Sequence, residues 1–338
     1  MARRVNRREK FEERGIRRRG SKESGFWYAW PDGTKVSDED VLDRIRSLVI
    51  PPAWKEAKIA PTDRWALQAI GIDSKQRTQY LYHERYRRRR EREKFLRIIR
   101  FAESLPKMRR RVGRDLDSSS LEKSSVMAAA VRLIDQGFFR LGNERSAEEE
   151  IYGLTTILPE HVVVRDDVVE LEFVGKWGRK QKRAVRDAKV AALIRRLRRT
   201  GKGELFKYEN GSRMIDVKDR HVNEYIQSVI GEDFSAKDFR TWAGSVIFAT
   251  ALGMLEETES EAKRKRQVTR AIKSTAEMLG NTPAVCRSSY ICPVLVDAYM
   301  EGRSFEAMKN PWSKKVVAKT RLSVQEKKLI EFLRDALD

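Results

Sequence analysis

The chain has 338 residues, with 71 Lys and Arg against 50 Asp and Glu, for a net charge of +21. A hydrophobic content of 40% with seven Trp excludes a disordered chain, and the length fits about two domains, each with a core of its own. The charge excess points to a polyanionic partner, nucleic acid first and an acidic membrane surface second.

Residues 1–25 are basic and poor in apolar side chains, and they read as a flexible arm. Met1–Gly20 lacks the apolar stretch of a signal peptide. Gly15-Ile-Arg-Arg-Arg-Gly20-Ser21-Lys22 has a P-loop look, but Lys and Ser stand in the wrong order and no apolar strand precedes it, so no nucleoside triphosphate site is expected. Phe26–Trp30 before Pro31-Asp32-Gly33 predicts a strand entering a turn, and Ser37–Leu48 a helix stopped by Pro51-Pro52. Ala57–Ile59, Trp65–Gly71 and Thr78–Tyr82 read as strands, the last alternating as Thr-Gln-Tyr-Leu-Tyr. Glu84 to about Leu105 reads as a helix with Phe95, Ile98, Ile99 and Ala102 on one side. Residues 26–105 are thus a small N-terminal α+β domain.

The stretch 106–120, basic and then Ser-rich, reads as a linker. Beyond it, residues 121–338 form the larger domain. Ser119-Ser120-Leu121-Glu122 offers a capping box, and Gly137 a C-terminal cap, for a helix over Leu121–Gln136. His161–Val164 and Val168–Val174 predict a hairpin, with Val169, Leu171 and Phe173 on one face. Gly175-Lys176-Trp177-Gly178 turns into a third strand ending near Val185. The remainder reads as mostly helical. Ser235 begins a helix striped by Phe239, Trp242, Ala243, Val246 and Ile247; the charged stretch Glu256–Arg266 separates it from a helix ending at Leu279-Gly280. Thr282-Pro283 opens a short helix and Ser323-Val324-Gln325-Glu326 caps the last. The fold class is α+β: a strand-rich N-terminal domain and a mainly α-helical one carrying a three-stranded sheet.

Several function classes fall away. Cys286 and Cys292 make no disulfide framework and lack zinc-ligand spacing, and His83, His161 and His221 are scattered with no His-Glu-x-x-His, so no protein-held metal is expected. The longest mainly apolar run, Val246–Leu255, is about half of the ~20 residues a membrane span needs. Arg87–Arg90, Lys107–Arg114, Arg195–Lys202 and Lys263–Arg266 are dense in cations. Each alone reads as a solvated face; their recurrence in both domains suits a long phosphate track. On the strand Gln79-Tyr80-Leu81-Tyr82, Gln79 can read an adenine edge in the major groove, while part of the segment serves as core.

Four polar residues stand alone at turns or helix starts: Arg140 after a capped helix, Lys176 at a hairpin tip, Arg240 in the opening turns of a helix, and Tyr290 between Cys286 and Cys292. Taken with their surroundings they carry a resemblance. Arg140-Leu-Gly-Asn-Glu, Tyr152-Gly-Leu-Thr-Thr, Gly175-Lys176, Ala236-Lys-Asp-Phe-Arg240-Thr-Trp-Ala-Gly and Leu279-Gly-Asn281-Thr-Pro-Ala-Val-Cys-Arg-Ser-Ser-Tyr290 occur in that order. Together with Ile50-Pro-Pro-Ala-Trp and Gln79-Tyr80-Leu-Tyr82, they resemble the type IB DNA topoisomerases, in their short bacterial and poxvirus-like branch, over about residues 26–303.

That resemblance implies a nucleophile, Tyr290, attacking a DNA phosphodiester to give a 3′-phosphotyrosine and a free 5′-hydroxyl. Arg140 and Arg240 would hold non-bridging oxygens, Lys176 would protonate the leaving 5′-oxygen, and Asn281 would donate to phosphate. Poxvirus members have His where Asn281 stands; Asn cannot titrate, which excludes a general-acid role there. Ser146 departs from the aromatic often found six residues after the first Arg. The resemblance further implies a monomeric clamp on duplex DNA, touching it through Gln79, Tyr80, Tyr82 and Lys237, needing no cofactor, and working in the cytoplasm with the nucleoid. The chemistry is coherent: in-line phosphoryl transfer needs its equatorial charge neutralised, which Arg can do in place of a metal. Covalent catalysis by Tyr keeps the phosphodiester's energy, so religation needs no ATP. Two alternatives stay open on the sequence. Tyrosine site-specific recombinases share the Arg–Lys–Arg–Tyr set but show His-x-x-Arg where this chain has Lys237-x-x-Arg240, and an all-helical first domain. A plain DNA-binding protein fits the charge but has no use for Tyr290 beside three cations.

Overall fold

The computed structural model describes residues 7–337 apart from Ser119, Asn143, Lys202 and 310–318. The chain divides into two compact units, 1–94 and 95–338. The first unit holds α1 (Arg7–Arg14), β1 (Ile16–Ser21), β2 (Gly25–Ala29), α2 (Glu39–Ser47), β3 (Lys55–Ile59), β4 (Leu67–Ile72), β5 (Thr78–Tyr82) and the first turns of α3 (Glu84–Asp115). Its strands make one antiparallel sheet in the order β2-β1-β3-β4-β5, leaving β5 at an edge. Ile16, Val36, Ile45, Ile59 and Ala69 form one small core, and Phe11, Ala60, Leu67 and Ile70 another.

The structure corrects the expected arm. Residues 1–6 lie outside the described residues, but from Arg7 the segment is a helix and a strand. Phe11 and Ile16 are its rare apolar side chains, and both are buried: Phe11 meets Trp65 edge-on at 5.1 Å, and Ile16 is 0% exposed. The P-loop look-alike is therefore β1, whose Arg17 pairs with Ala29 of β2. Arg18 donates to the carbonyls of Ile50, Pro51 and Trp54 and lies 4.3 Å from the Phe26 ring, so it holds the Pro51-Pro52 loop in place.

The expected linker 106–120 is corrected too. Helix α3 runs through Pro106 to Asp115, and the division between units falls within it at Lys94. Its basic run conceals a helical stripe: Leu105, Met108, Arg109, Val112 and Leu116 are all buried.

The second unit continues with α4 (Lys123–Gly137), α5 (Glu144–Ala147), β6 (Val162–Arg165), β7 (Val168–Gly175), β8 (Arg179–Arg186) and α6 (Ala188–Leu197). Then follow β9 (Lys207–Asn210), β10 (Arg213–Asp216), α7 (Asp219–Ile230), α8 (Ala236–Gly253), α9 (Glu261–Leu279), α10 (Pro283–Ser289), α11 (Pro293–Met300) and α12 (Val324–Leu337). Strands β6-β7-β8 form the expected antiparallel sheet, with Val169, Leu171 and Phe173 buried on one face. The β9–β10 hairpin is an addition to the expected helical region, and Asn210-Gly211, with Gly211 at φ 61°, was its signal. Helix α8 is buried on every side, Lys237 being the one residue of that helix left out of the core. It begins with a capping contact, the Ser235 amide donating to Asp238 Oδ2 at 2.8 Å. At α4 the caps differ from expectation: Ser119 of the expected box lies outside the described residues, and the helix starts at Lys123, its N-cap residue Glu122 making no side-chain cap.

Candidate active site

The exit from α4 sets the first cation. Phe138, not Gly137, takes the left-handed turn, at φ 58°, its amide bonded to Ile134 O at 2.9 Å. Gly137 is instead required by packing, because a Cβ there would meet the Phe139 ring at 2.4 Å. The turn delivers Arg140 into a segment laid against Tyr152-Gly-Leu-Thr-Thr156. The Leu154 amide donates to Arg140 O at 2.8 Å and the Gly142 amide to Thr155 Oγ1 at 2.9 Å. Gly142 and Gly153 permit this approach, since a Cβ on Gly153 would stand 2.5 Å from Leu141 O. Asn143, next in that motif, lies outside the described residues.

Arg240 is 4% exposed in the second turn of α8. Its guanidinium donates to Phe138 O, and to Leu279 O at 2.8 Å, so it bridges the C-terminal ends of α4 and α9, whose partial negative charge favours a cation. Burial pushes its pKa down to about 10, with Tyr290 opposing and Arg140 and Arg183 adding repulsion; it stays protonated at neutral pH. Asn281 follows the α9 cap and is 2% exposed. Its Oδ1 accepts from Arg140 and its backbone carbonyl from Arg179 at 2.8 Å. Two donors in this group, Arg240 Nε and Asn281 Nδ2, are buried with no hydrogen-bond partner among the described residues. Leaving such donors unsatisfied costs about 1–3 kcal/mol each, which a bound oxyanion would offset.

Tyr290 ends α10, whose Thr282 cap and Pro283 first turn are as the sequence predicts. The residue is 5% exposed, and its ring centre lies 5.2 Å from the Arg240 guanidinium carbon and 5.9 Å from that of Arg140. Its backbone is seated on α8. A Cβ at Gly244 would fall 2.7 Å from Tyr290 O, and Ser245 Oγ donates to that oxygen at 3.3 Å while accepting from the Cys292 amide at 3.1 Å. Burial alone would raise the phenol's pKa; Arg240 and Arg140, with a smaller part from Lys237, outweigh it and hold the phenol below its ordinary value. A phenol eased toward phenolate among cations and unsatisfied N–H donors has the chemistry that a nucleophile facing an anion would need.

Lys176 is exposed in the short turn Lys176–Gly178 between β7 and β8, and it lines one cleft with Arg140, Tyr152, Gln181 and Arg240. Lys237, also exposed, stands one turn before Thr241 on α8. The structure thus gathers Arg140, Lys176, Arg240, Asn281 and Tyr290 in the second unit. Gln79, Tyr80 and Tyr82 belong to the first. Tyr80 is 49% exposed and stacks on Tyr82 at 6.3 Å, which stacks on Tyr86 at 5.2 Å. Gln79 lies on the other face of β5 and is fixed by its Nε2 donating to Asp73 Oδ2 at 2.8 Å. Sequence reasoning quoted Gly244 at the end of a motif without a role and missed Ser245, both inside an apolar helix. It also missed Arg179 and Arg183 of β8, which donate to Asn281 O and, at 3.4 Å, to Glu277 O; their alternation toward a helix C-terminus was the available signal. Among the described residues no helix is long and apolar enough to cross a membrane.

Comparison with known proteins gives the family. The family profile "Eukaryotic DNA topoisomerase I, catalytic core" matches residues 83–302, and "Bacterial DNA topoisomerase IB, N-terminal domain" matches residues 25–73. DNA topoisomerase 1B of Acanthamoeba polyphaga mimivirus is 32% identical over 308 residues, covering 88% of this chain and 91% of its own. DNA topoisomerase I of Monkeypox virus and DNA topoisomerase 1B of Vaccinia virus (strain Copenhagen) are each 22% identical over 231 residues, covering 68% of this chain and 71% of theirs. A catalytic-core match that spans every motif from Arg140 to Tyr290, and a relative alike over nearly its full length, leave one assignment: the chain belongs to the type IB DNA topoisomerases, enzymes of the DNA topoisomerase I class.

Proposed function

We propose that this chain relaxes supercoiled duplex DNA through a transient single-strand break in which Tyr290 becomes linked to a 3′-phosphate. The observation that carries the reading is the pair of buried, unsatisfied donors, Arg240 Nε and Asn281 Nδ2, beside a phenol held below its ordinary pKa. A phosphodiester supplies the oxygens those donors lack. Tyr290 Oη forms a bond to phosphorus as the bond from phosphorus to O5′ breaks; the phenolic proton goes to solvent, and Lys176 gives one to the departing 5′-oxygen. Arg140 and Arg240 neutralise the equatorial oxygens and Asn281 adds a hydrogen bond, contributions that grow as charge accumulates in the transition state. The reverse attack by the 5′-hydroxyl reseals the strand after rotation, with no ATP.

In this reading the protein works as a monomer that clamps duplex DNA, in the compartment where that DNA lies. Strand β5 meets a groove by its free edge, so Gln79 from one face and Tyr80 and Tyr82 from the other flank the same base pairs. Lys237 takes a phosphate near the cleaved one. The test is relaxation of negatively and positively supercoiled plasmid, with EDTA and without ATP, by the wild type and by Tyr290→Phe. Relaxation of both signs by the wild type and neither by the variant, with DNA binding retained, is expected. A wild type that binds DNA but relaxes neither sign overturns the proposal; capture on a suicide duplex then separates a site-restricted recombinase from a plain binding protein.

A further inference from the structure

The C-terminal helix α12 lies beyond the matched catalytic core, which ends at residue 302, and its third residue reaches the middle of the second unit. Glu326 is 0% exposed. A carboxylate at this place in a helix ordinarily serves its own cap, and here it does, accepting from the Ser323 amide at 2.7 Å. It also does more. Its Oε1 accepts from Arg109 Nη2 at 2.8 Å and from the indole Nε1 of Trp242 at 3.1 Å, while Oε2 accepts from Arg109 Nη1 at 2.9 Å. Arg109 spends its other donors on Asp135, twice at 2.9 Å, and on Arg321 O at 2.8 Å. All five guanidinium N–H groups are therefore matched. One buried cation faces two carboxylates, and the surplus negative charge rests on the Trp242 and Ser323 N–H groups and on the α12 N-terminus.

Trp242 is the informative partner. It stands two residues from Arg240 on α8, about 200° around the helix, so the two side chains leave from nearly opposite sides. Arg240 goes forward to Phe138 O, Leu279 O and Tyr290; Trp242 goes back to Glu326. Asp238, one turn before Trp242 on that rear side, is gripped by Arg97 of α3 at 2.5 and 3.2 Å. The same helix carries Gly244 and Ser245, which seat Tyr290, whereas Arg140 and Asn281 are mounted on the ends of α4 and α9. Any rotation of α8 therefore strains the Arg240 bonds to Phe138 O and Leu279 O and shifts the seat of Tyr290 relative to Arg140 and Asn281.

We propose that Glu326 is a positioning residue for the reaction: by holding the Trp242 indole from behind, it fixes the rotation of α8 and so the place of Arg240 and Tyr290 against Arg140 and Asn281. This rests on the reading of Arg240 and Tyr290 given above. The C-terminal helix is then part of the catalytic apparatus, although it touches no reacting atom.

Two variants of the full chain test it. Glu326→Gln keeps the shape and removes the charge. Trp242→Phe leaves the Glu326–Arg109 pair whole and deletes only the indole contact, so it stays informative if the first variant folds poorly. Arg334→Gln removes an exposed ion pair with Glu103 that also holds α12, and serves as the structural control. Single-turnover covalent capture on a suicide duplex is measured well below each melting temperature, beside DNA affinity. Each of the two variants is expected to cleave roughly 10- to 100-fold more slowly with affinity within about twofold, because displacements near 1 Å cost on that order. The double variant should be little worse than the slower single one, and Arg334→Gln should cleave at the wild-type rate. Ultraviolet titration gives a second readout that needs no cleavage: the phenol that disappears in Tyr290→Phe should titrate at higher pH in Glu326→Gln, as Arg240 withdraws. Lowered melting temperatures with wild-type cleavage and an unmoved phenol would show α12 to be a stay and nothing more. A wild type that forms no adduct overturns the reading of Tyr290, while the phenol titration still decides whether Glu326 positions α8.

Discussion

Replacing Gly244 by Ala separates catalysis from stability in a way few substitutions here can. Gly244 sits in the third turn of α8, where Ala is the better helix former by about 1 kcal/mol. Its new methyl group would arrive 2.7 Å from Tyr290 O and 2.8 Å from Tyr290 Cβ. Both lie at or next to the backbone, so no rotamer change relieves the contact. Restoring an ordinary separation of 3.4 Å needs a retreat of about 0.7 Å by the end of α10. Overpacking of this kind costs about 1–3 kcal/mol, so against the helix gain the net loss is about 0–2 kcal/mol. At about 2–4 °C per kcal/mol for a unit of this size, the melting temperature falls by no more than about 8 °C. The rate is another matter. In-line attack tolerates little misplacement, and 0.7 Å at the nucleophile should slow covalent capture by roughly 10- to 100-fold. The assay is the rate of adduct formation with a duplex whose leaving strand is short enough to dissociate, run beside calorimetry. Capture within twofold of wild type would refute the reasoning, because Tyr290 would then be either loosely seated or not the nucleophile.

Three more outcomes follow from the same geometry. Burial raises the Tyr290 phenol and the Arg240 and Arg140 charges outweigh it, so cleavage at limiting DNA should rise with pH and level off below the ordinary tyrosine pKa of 10; Arg140→Gln should move that limb to higher pH, and an unmoved limb contradicts the assignment. Arg109→Met strands the buried carboxylates of Asp135 and Glu326 and should cost about 3–5 kcal/mol, a fall of about 6–20 °C in calorimetry; a fall under about 2 °C means the network contributes little. Tyr80→Ala should weaken duplex binding without changing the salt dependence, since it removes no charge, whereas Lys237→Gln should lower the slope of log affinity against log salt by about 1. Equal slopes for Lys237→Gln and wild type remove that lysine from the phosphate track.

Most elements were legible because period and caps agreed. Thr282-Pro283, Ser235 with Asp238, and Ser323 with Glu326 each mark a helix start that the structure keeps. The failures share a physical cause, which is that composition averages over side chains with opposite fates. Residues 7–25 look solvated, yet Phe11 and Ile16 suffice to dock them. The run from Lys107 to Arg114 reads as a linker until Met108, Arg109 and Val112 are seen at helical spacing, with Arg109 inside the core because two carboxylates from distant segments meet it there. No local pattern announces that an arginine will be buried. Its partners lie 26 and 217 residues away.

The site divides along the same line. Tyr290, Arg140, Lys176, Arg240 and Asn281 are named by motif order, as the groups that the proposed reaction would bring to substrate. What holds them was not. Arg240 is kept by two carbonyls, Phe138 O and Leu279 O, and the first depends on Phe138 adopting a left-handed turn that a phenylalanine rarely takes. Neither carbonyl has a side-chain signature, so the sequence could place the cation but not its anchor. The anchoring has a chemical consequence. A guanidinium fixed at two helix ends cannot swing to solvate itself, and its Nε stays unsatisfied together with Asn281 Nδ2. The free protein therefore carries a cost that an oxyanion in the cleft would remove. A site with flexible lysines in the same places would bind phosphate as readily, but it would rearrange as charge shifts during the reaction. In the proposed reaction, rigid donors whose strongest partner is the transition state would accelerate the chemical step, and here the rigidity comes from backbone carbonyls rather than from side chains a motif could specify.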